Sequence, residues 1–408
     1  MNNISLYIWS FIGKFGSQII YLITTIILAR QLSPEDFGTI GILSVIIALA
    51  QTIVDSGMGG ALMLEKELNK ENSGTMFVFN IVTCIFLYLI IFFLSPIIEI
   101  FFNVENLSLI TRVLSLVIVI NALGLVPKNV LIYNHQFKQY SFITLISVFA
   151  SAILAIITAN LGFGYYSLII YQIINSIISG LLAFIISRWR INFCFKYKVF
   201  KRLFNFGFFT TITNFVDTFY ENIITSIFGK IVGVALAGQF SQAKKLEEAS
   251  TVSIINTICT TAFPIFAKLR NDLTLFKKEA FCLHKLFIML VSPALILLGI
   301  FAEEIISILF GSKWLPASSF LPILLLAGFF MINESINRSF IKSLGKIQTL
   351  FKFTLFKRII GIIIIIICGI LSKEYILYGY VISTFFAFLV NSIVYSKLID
   401  GVSSAPRL

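Results

Sequence analysis

Charged residues are scarce in this chain, and they are absent from long blocks of it. Asp, Glu, Lys and Arg make up 12% of the 408 residues, whereas 58% are hydrophobic and 43 are Phe. A water-facing domain of this composition would cover its exterior in apolar patches. We therefore expect lipid to be the solvent for most of the surface, which excludes a soluble enzyme or a soluble binding module.

Cysteine and histidine are also few and scattered. The five Cys and two His residues form neither a Cys-x-x-Cys motif nor a Cys/His cluster, so the sequence indicates no disulfide framework and no zinc site. Acids are outnumbered by bases, 19 against 31. Because the basic residues lie in the gaps between apolar blocks, they indicate membrane orientation and not a nucleic-acid surface. No cofactor is expected beyond a coupling Na⁺ or H⁺.

The apolar blocks predict about twelve transmembrane helices, since a helix rising about 1.5 Å per residue needs about 20 residues to cross the hydrocarbon. Met1–Arg30 has no basic stretch before its apolar run and is predicted to be the first of these helices, not a cleaved signal peptide. The predicted spans are 4–29, 37–62, 74–95, 107–127, 140–160, 165–187, 205–228, 236–264, 280–302, 317–340, 354–371 and 375–395.

Basic residues concentrate in alternate connectors. Of the 31 basic residues, 22 fall in connectors on one side of the membrane. Those on the other side hold only four, namely Arg30, Lys230, Lys313 and Lys373. By the positive-inside rule the first side is cytoplasmic, so both termini are predicted to be cytoplasmic in a bacterial inner membrane. The cytoplasmic segments are 65–72, 128–139, 188–202, 268–285, 342–358 and 397–408.

The two halves of the chain resemble each other. Ile97–Asn103 matches Ile305–Gly311 in pattern, and Asp36-Phe37-Gly38 matches Leu236-Ala237-Gly238. Repeats of six spans share one orientation, as in transporters whose halves are related by an axis along the membrane normal. The predicted fold is thus an all-α polytopic membrane protein with two six-helix lobes, 1–195 and 196–408, related by a pseudo-two-fold axis.

Charges inside predicted spans are candidates for function, because each costs about 2.5 to 3.5 kcal/mol at the bilayer centre on insertion scales. Lys14 either offers a positive charge to an anionic headgroup or extends toward the cytoplasm. Asp217 and Glu221 lie one turn apart and suit ion coupling, as a proton relay or a sodium site, or else neutralise Lys244 and Lys245 on the next helix.

A second group of charges suggests a polar cavity wall. Lys244 and Lys245, with Glu247 and Glu248, fall in one span, where four charges are hard to place against lipid. The lysines are candidate substrate contacts and the acids candidate cavity residues.

Two further sets of charged residues inside predicted spans are candidates for function. Glu334 and Arg338, spaced i,i+4, predict an internal ion pair, whose arginine can bind phosphate if the pair opens. Asp55 ends the second span beside several glycines and is a candidate hinge or cavity residue.

Several runs in the sequence carry a family resemblance. They are Leu28–Gly38 (LARQLSPEDFG), Val54–Gly57, Arg112–Ser115, Ile120–Gly124, Gly162–Gly164 and Leu309–Ala317 (LFGSKWLPA). Together they resemble the polysaccharide exporter branch of the multidrug/oligosaccharidyl-lipid/polysaccharide superfamily, which includes Wzx-type O-antigen flippases. The resemblance covers essentially the whole chain.

The resemblance implies a MATE-like fold with a cationic cavity that moves an undecaprenyl-diphosphate-linked oligosaccharide across the inner membrane by alternating access. It also implies ion coupling, and polymerase and chain-length proteins of the same pathway are possible partners. One departure is Ile224, where relatives often have an Asp. Ion coupling at that position is therefore in doubt here.

Two other functions compete with the flippase. A drug exporter of the same superfamily is disfavoured by the intramembrane Lys and Arg residues, since a cavity for cations would favour acids. A membrane polymerase or glycosyltransferase is disfavoured because the longest predicted outer connector, around Glu303–Pro316, is short. The protein is therefore expected not to be an enzyme.

Overall fold

The fold was analysed in a computed structural model that describes residues 3–55, 58–62, 69–269 and 272–403. These residues contain fourteen α-helices, one 3-10 helix at Ser312–Ser319 and no strand. The α-helices are α1 Asn3–Gln31, α2 Pro34–Asp55, α3 Met58–Leu62, α4 Lys70–Phe102, α5 Leu107–Tyr133, α6 Phe137–Asn160, α7 Tyr166–Ser187, α8 Tyr197–Ile231, α9 Val234–Leu269, α10 Leu273–Ile300, α11 Ala302–Phe310, α12 Leu321–Ser343, α13 Ile347–Leu371 and α14 Tyr375–Ser403.

Within the described residues, nine helices are long and apolar enough to cross a membrane, namely α1, α2, α4, α5, α6, α7, α10, α13 and α14. A tenth span is formed if the 3-10 helix and α12, which meet at a 48° bend, are counted together. The prediction of an all-α polytopic membrane protein is confirmed. Helices α8 and α9 are also long, at 35 and 36 residues, and cover the seventh and eighth predicted spans. The exact count of twelve stays a prediction.

By its internal contacts the chain divides into two compact units, one ending at Gly238 and the other beginning at Gln239. In the first unit α8 packs mainly on α2, α3 and α4. In the second, α12 and α13 both pack on α14, and α10 packs on α12. The division into lobes at 195/196 and the symmetry relating them stay predictions.

The run LARQLSPEDFG builds the start of α2. Ser33 and Asp36 form a capping box: the Ser33 backbone N–H donates to the Asp36 carboxylate at 2.9 Å, and the Asp36 N–H donates to the Ser33 hydroxyl at 3.1 Å. The other carboxylate oxygen accepts the Tyr165 backbone N–H at 3.1 Å, at the start of α7. Asp36 therefore begins α2 and also holds the turn between α6 and α7.

The first pair of repeated motifs ends helices in the same way. Asn103 stops α4 in the left-handed conformation with φ of 55°, and its N–H donates to the carbonyl of Glu99. Gly311 stops α11 at φ of 97°, and its N–H donates to the carbonyl of Ser307. A residue at positive φ is a common helix stop, because it turns the chain away while its N–H satisfies a free carbonyl.

The second pair of repeated motifs meets in direct contact inside the first unit. A Cβ placed on Gly38 would lie 1.9 Å from the carbonyl oxygen of Val234, and one placed on Gly238 would lie 1.8 Å from that of Pro34. The helix starts of α2 and α9 therefore touch backbone to backbone. The contact is reciprocal, as two copies of one motif make around a two-fold axis.

The basic segment 188–202, which leads into α8, lies across the start of α4. Its backbone passes Gly74 and Thr75, where the Thr75 hydroxyl donates to the Cys194 carbonyl at 3.4 Å and accepts the Lys196 N–H at 3.1 Å. The Lys196 side chain also pairs with Glu71, and this hydrogen bond raises the pKa of Lys196. Trp189 packs on Phe77 with ring centroids 5.2 Å apart. The connector is thus part of the first unit's packing.

Candidate functional site

The acidic face of α8 lies next to α2. Asp217 is half-buried and Glu221 is exposed, one turn further along the helix. Between them, the Thr218 hydroxyl lies 3.3 Å from that of Thr52 and joins the two helices. Asn222 donates to the Thr218 carbonyl at 2.8 Å. The acids therefore share one side of the helix with uncharged polar groups that water or an ion can bind, and their role in ion coupling stays a prediction.

Ile224 is fully buried on the same helix. A carboxylate there would be enclosed by packed side chains, so the position makes an apolar contact in this chain.

The four charges of α9 differ in environment. The Lys244 side chain is 9% exposed, and its Nζ lies 3.9 Å from Oε1 of Glu248, whose side chain is 47% exposed. Lys245 is half-buried. The Lys244 ammonium is thus held in the protein interior while its partner reaches the surface, an arrangement that favours a wet wall over a lipid-facing one.

Unlike these residues, Glu247 lies in the contact between α9 and α12. It is 3% exposed, and its Oε1 accepts the Thr251 hydroxyl at 2.7 Å. That oxygen packs against Gly328, where an added Cβ would come within 2.5 Å of it. Glu247 is therefore placed as a packing and hydrogen-bonding residue of the second unit.

A buried charged cluster joins α12, α13 and α14. Glu334 forms an ion pair with Lys357 and accepts a hydrogen bond from Asn391 Nδ2 at 2.8 Å, and all three side chains are almost fully buried. Arg338 and Arg358 are close enough to act electrostatically on the Glu334 carboxylate. The predicted partner Arg338 is thus near Glu334, and Lys357 from the next helix pairs with it as well.

Sequence reasoning missed Lys357 and Arg358, which it assigned to the cytoplasmic segment 342–358. In the structure α13 begins at Ile347, and both side chains are buried at 1% and 3% exposure. The cytoplasmic placement of 342–358 stays a prediction. The signal was present in residues 347–356 (IQTLFKFTLF), which are apolar enough to begin the span before Lys357.

The remaining candidates lie in the first unit. Lys14 is exposed on α1, whose neighbouring residue Gly13 packs on Ser141 of α6. Asp55 is the last residue of α2 and is also exposed. The second predicted span, 37–62, is covered by α2 and α3. Residues 56 and 57, including the predicted hinge glycine Gly57, lie outside the described residues.

No group of three His, Cys, Asp or Glu side chains within the described part of the chain is arranged to hold a metal ion. Four cysteines in that part are free thiols, namely Cys84, Cys194, Cys282 and Cys368.

In the second unit, the run LFGSKWLPA (309–317) lies beside the start of α9. Trp314 is fully buried in the 3-10 helix, and its ring lies 6.2 Å from that of Phe310. Gln239 Nε2 at the start of α9 donates to the Lys313 carbonyl at 2.8 Å. The predicted outer connector around Glu303–Pro316 is therefore helical and packed.

Residues 27–319 match the polysaccharide biosynthesis protein family, which is more than half of the chain. The protein belongs to this family. The resemblance to the polysaccharide exporter branch is therefore confirmed.

Among relatives, the succinoglycan biosynthesis transport protein ExoT of Rhizobium meliloti is 25% identical over 356 residues, covering 86% of this chain and 71% of that protein. The teichuronic acid biosynthesis protein TuaB of Bacillus subtilis is 24% identical, covering 84% and 71%. The lipopolysaccharide biosynthesis protein WzxC of Escherichia coli K12 is 24% identical, covering 85% and 71%.

Two solved structures share the fold. An inward-facing MATE family multidrug resistance transporter of the MOP superfamily superposes with a TM-score of 0.75 at 15% identity, covering 96% of each chain. The lipid II flippase MurJ, in an inward closed conformation, superposes with a TM-score of 0.72 at 18% identity, covering 98% of this chain and 88% of MurJ. This member of the polysaccharide biosynthesis protein family therefore has the MOP superfamily fold.

Proposed function

We propose that the protein is a flippase that moves an undecaprenyl-diphosphate-linked oligosaccharide across the bacterial inner membrane by alternating access. Relatives that match most of this chain are named as transport or biosynthesis proteins for succinoglycan, teichuronic acid and lipopolysaccharide. MurJ, which shares the fold, is named a lipid II flippase. A flippase needs no bond chemistry, so the protein is proposed to be a transporter and not an enzyme.

The observation that carries the proposal is the charge kept inside α9 and α12. Lys244 is almost fully buried, and Lys245 and Arg338 are half-buried within helices of the second unit. Such charges persist in membrane proteins where they meet a partner, a wet cavity or an anionic substrate. A lipid diphosphate carries the complementary negative charge, and ammonium and guanidinium groups are its usual protein ligands. Lys14 is proposed as a further anion contact in the first unit.

Asp217 and Glu221 are proposed as the ion-coupling residues, with Na⁺ or H⁺ as the ion. Two carboxylates one helical turn apart bind a cation more readily than a single one does. Their neighbours Thr52 and Thr218 supply uncharged oxygens on the same side of α8. Asp55, Glu247, Glu248 and Glu334 are proposed as residues that shape the polar interior.

The proposal is tested by deleting the gene in its host and following both surface polysaccharide and lipid-linked oligosaccharide. We expect surface polymer to fall and the lipid-linked intermediate to accumulate. Lys244→Gln should lower transport about tenfold or more, because it removes a charged hydrogen-bond donor. Lys373→Gln, at an exposed position between α13 and α14, is the matched control and should restore full transport.

Two variants separate substrate binding from coupling. Lys14→Ala should lower transport at every ion gradient, whereas Asp217→Asn should leave a residual transport that no longer responds to a Na⁺ or H⁺ gradient. Unchanged surface polymer after deletion, together with greater sensitivity to cationic drugs, would contradict flipping and favour a drug exporter.

A further inference from the structure

A cleft of about 400 Å³ lies between α10 and α14 in the second unit. Lys277, Phe281 and His284 line it from α10, and Tyr395 and Ser396 line it from α14. None of these residues takes part in the proposed transport site. The cleft therefore calls for a separate explanation.

The floor of the cleft is a fixed aromatic surface. The buried Phe340 of α12 lies beneath it, with its ring centroid 5.5 Å from that of His284 and 5.3 Å from that of Tyr395. Phe266 and Phe276 pack against Phe340 at 4.5 and 5.9 Å. Because these rings support one another, the cleft is part of the packed fold.

One end of the cleft is charged and the other is apolar. Lys277, Phe281, His284 and Ile288 follow at helical spacing on one face of α10, and the chain between the first and last rises about 16 Å. Phe281 is 73% exposed, and on α14 Ile393 is exposed one turn before Ser396. The cleft thus starts at an ammonium group and continues into an apolar path.

The charged end of the cleft, here called the rim, is formed by Lys277, and the charge on this side of α10 is positive. Lys278 follows Lys277 by about 100° around the helix, whereas Glu279 lies about 200° away, on the opposite side. Lys277, Lys278 and Lys285 are all exposed. Only 11% of the apolar stretch of α10 is buried, the smallest share among the nine apolar helices of the described residues. The apolar part of α10 is therefore mostly exposed, which suits contact with lipid.

We propose that this cleft binds phosphatidylglycerol from the surrounding bilayer. Lys277 binds the phosphate at the rim, as basic residues beside membrane helices do for anionic headgroups. The exposed Ser396 hydroxyl donates to the Ile393 carbonyl at 2.9 Å and keeps its lone pairs for a donor from a ligand. The glycerol hydroxyls of this headgroup can supply that donor. One acyl chain lies along Phe281 and Ile288.

The test is native mass spectrometry of the purified full-length protein with added phosphatidylglycerol or phosphatidylcholine. We expect phosphatidylglycerol to bind more tightly. Lys277→Gln should weaken that binding about fivefold, whereas the neighbouring Lys278→Gln should change it less than twofold. Ser396→Trp fills the cleft from an exposed position and should remove the tightest-binding lipid while the melting temperature is kept.

Four results would overturn the proposal. They are equal binding of the two lipids, equal losses in the two lysine variants, full lipid binding by Ser396→Trp, and displacement of the lipid by millimolar inorganic phosphate. Competition by undecaprenyl diphosphate would assign the cleft to the transport substrate and would also refute this proposal.

Discussion

At the residue scale, two glycines occupy positions where the structure leaves no room for a side chain. Gly38 and Gly238 let the starts of α2 and α9 touch without any side chain between them. Gly is unfavourable inside a helix by about 1 kcal/mol relative to Ala, so its presence here is explained by the close contact alone. The pattern match of these motifs predicted that they correspond, but not that they touch.

Gly238→Ala should destabilise the protein. Its Cβ would lie 1.8 Å from the Pro34 carbonyl oxygen, and backbone must shift to make room. We expect a loss of about 2 kcal/mol or more, seen as a lower melting temperature in detergent. Gly299→Ala is the matched control, because its Cβ would meet Pro322 at an ordinary 3.7 Å. Equal melting temperatures for the two variants would show that the contact is not tight.

The charged residues show how far sequence reasoning reaches at this scale. Spacing within one helix identified the Lys244–Glu248 pair, whose atoms lie 3.9 Å apart. It did not identify Lys357 as a partner of Glu334, because the two are 23 positions apart and meet only when α12 packs beside α13. Contacts between helices depend on packing that a single sequence pattern does not contain.

At the element scale, each predicted span overlaps one or two helices of the described residues, and several helices run longer than predicted. Apolar runs locate only the apolar part of a helix. Helices α4, α8 and α13 extend beyond their apolar runs. The short helix α11 was not predicted. It ends at Gly311, whose positive φ depends on the surrounding structure.

The ion pair between α12 and α13 can be tested by a double-mutant cycle. Glu334→Gln or Lys357→Met alone removes one charge of the buried pair and should cost about 3 to 5 kcal/mol. The double variant removes both charges and should recover more than half of that loss. The free energies of unfolding in detergent are compared, with Lys346→Met, at an exposed turn position, as the control. Additive losses would mean that the pair contributes nothing specific.

At the scale of the whole molecule, the fold is settled and the orientation is a prediction. Membership in the polysaccharide biosynthesis protein family and the MOP superfamily fold follow from similarity over most of the chain. The direction of insertion depends on the basic segments, which hold 22 of the 31 basic residues, against four on the opposite side.

Reporter fusions check this orientation. A fluorescent protein joined after Leu408 should fluoresce, and alkaline phosphatase at the same position should be inactive, because both termini are predicted to be cytoplasmic. Alkaline phosphatase inserted at Lys373, between α13 and α14, should be active. The reverse pattern would contradict the predicted topology.

The pairing of Glu334 with Lys357 has a consequence for how the chain is made. A segment that carries an acid and an arginine leaves the translocon for lipid reluctantly, and α12 carries both Glu334 and Arg338. Its partner Lys357 is synthesised only after the tight turn at Gly345. We therefore expect α12 to wait beside the translocon and to enter the bilayer with α13 as a hairpin, so that the single variants should also reduce the amount of protein recovered in the membrane fraction.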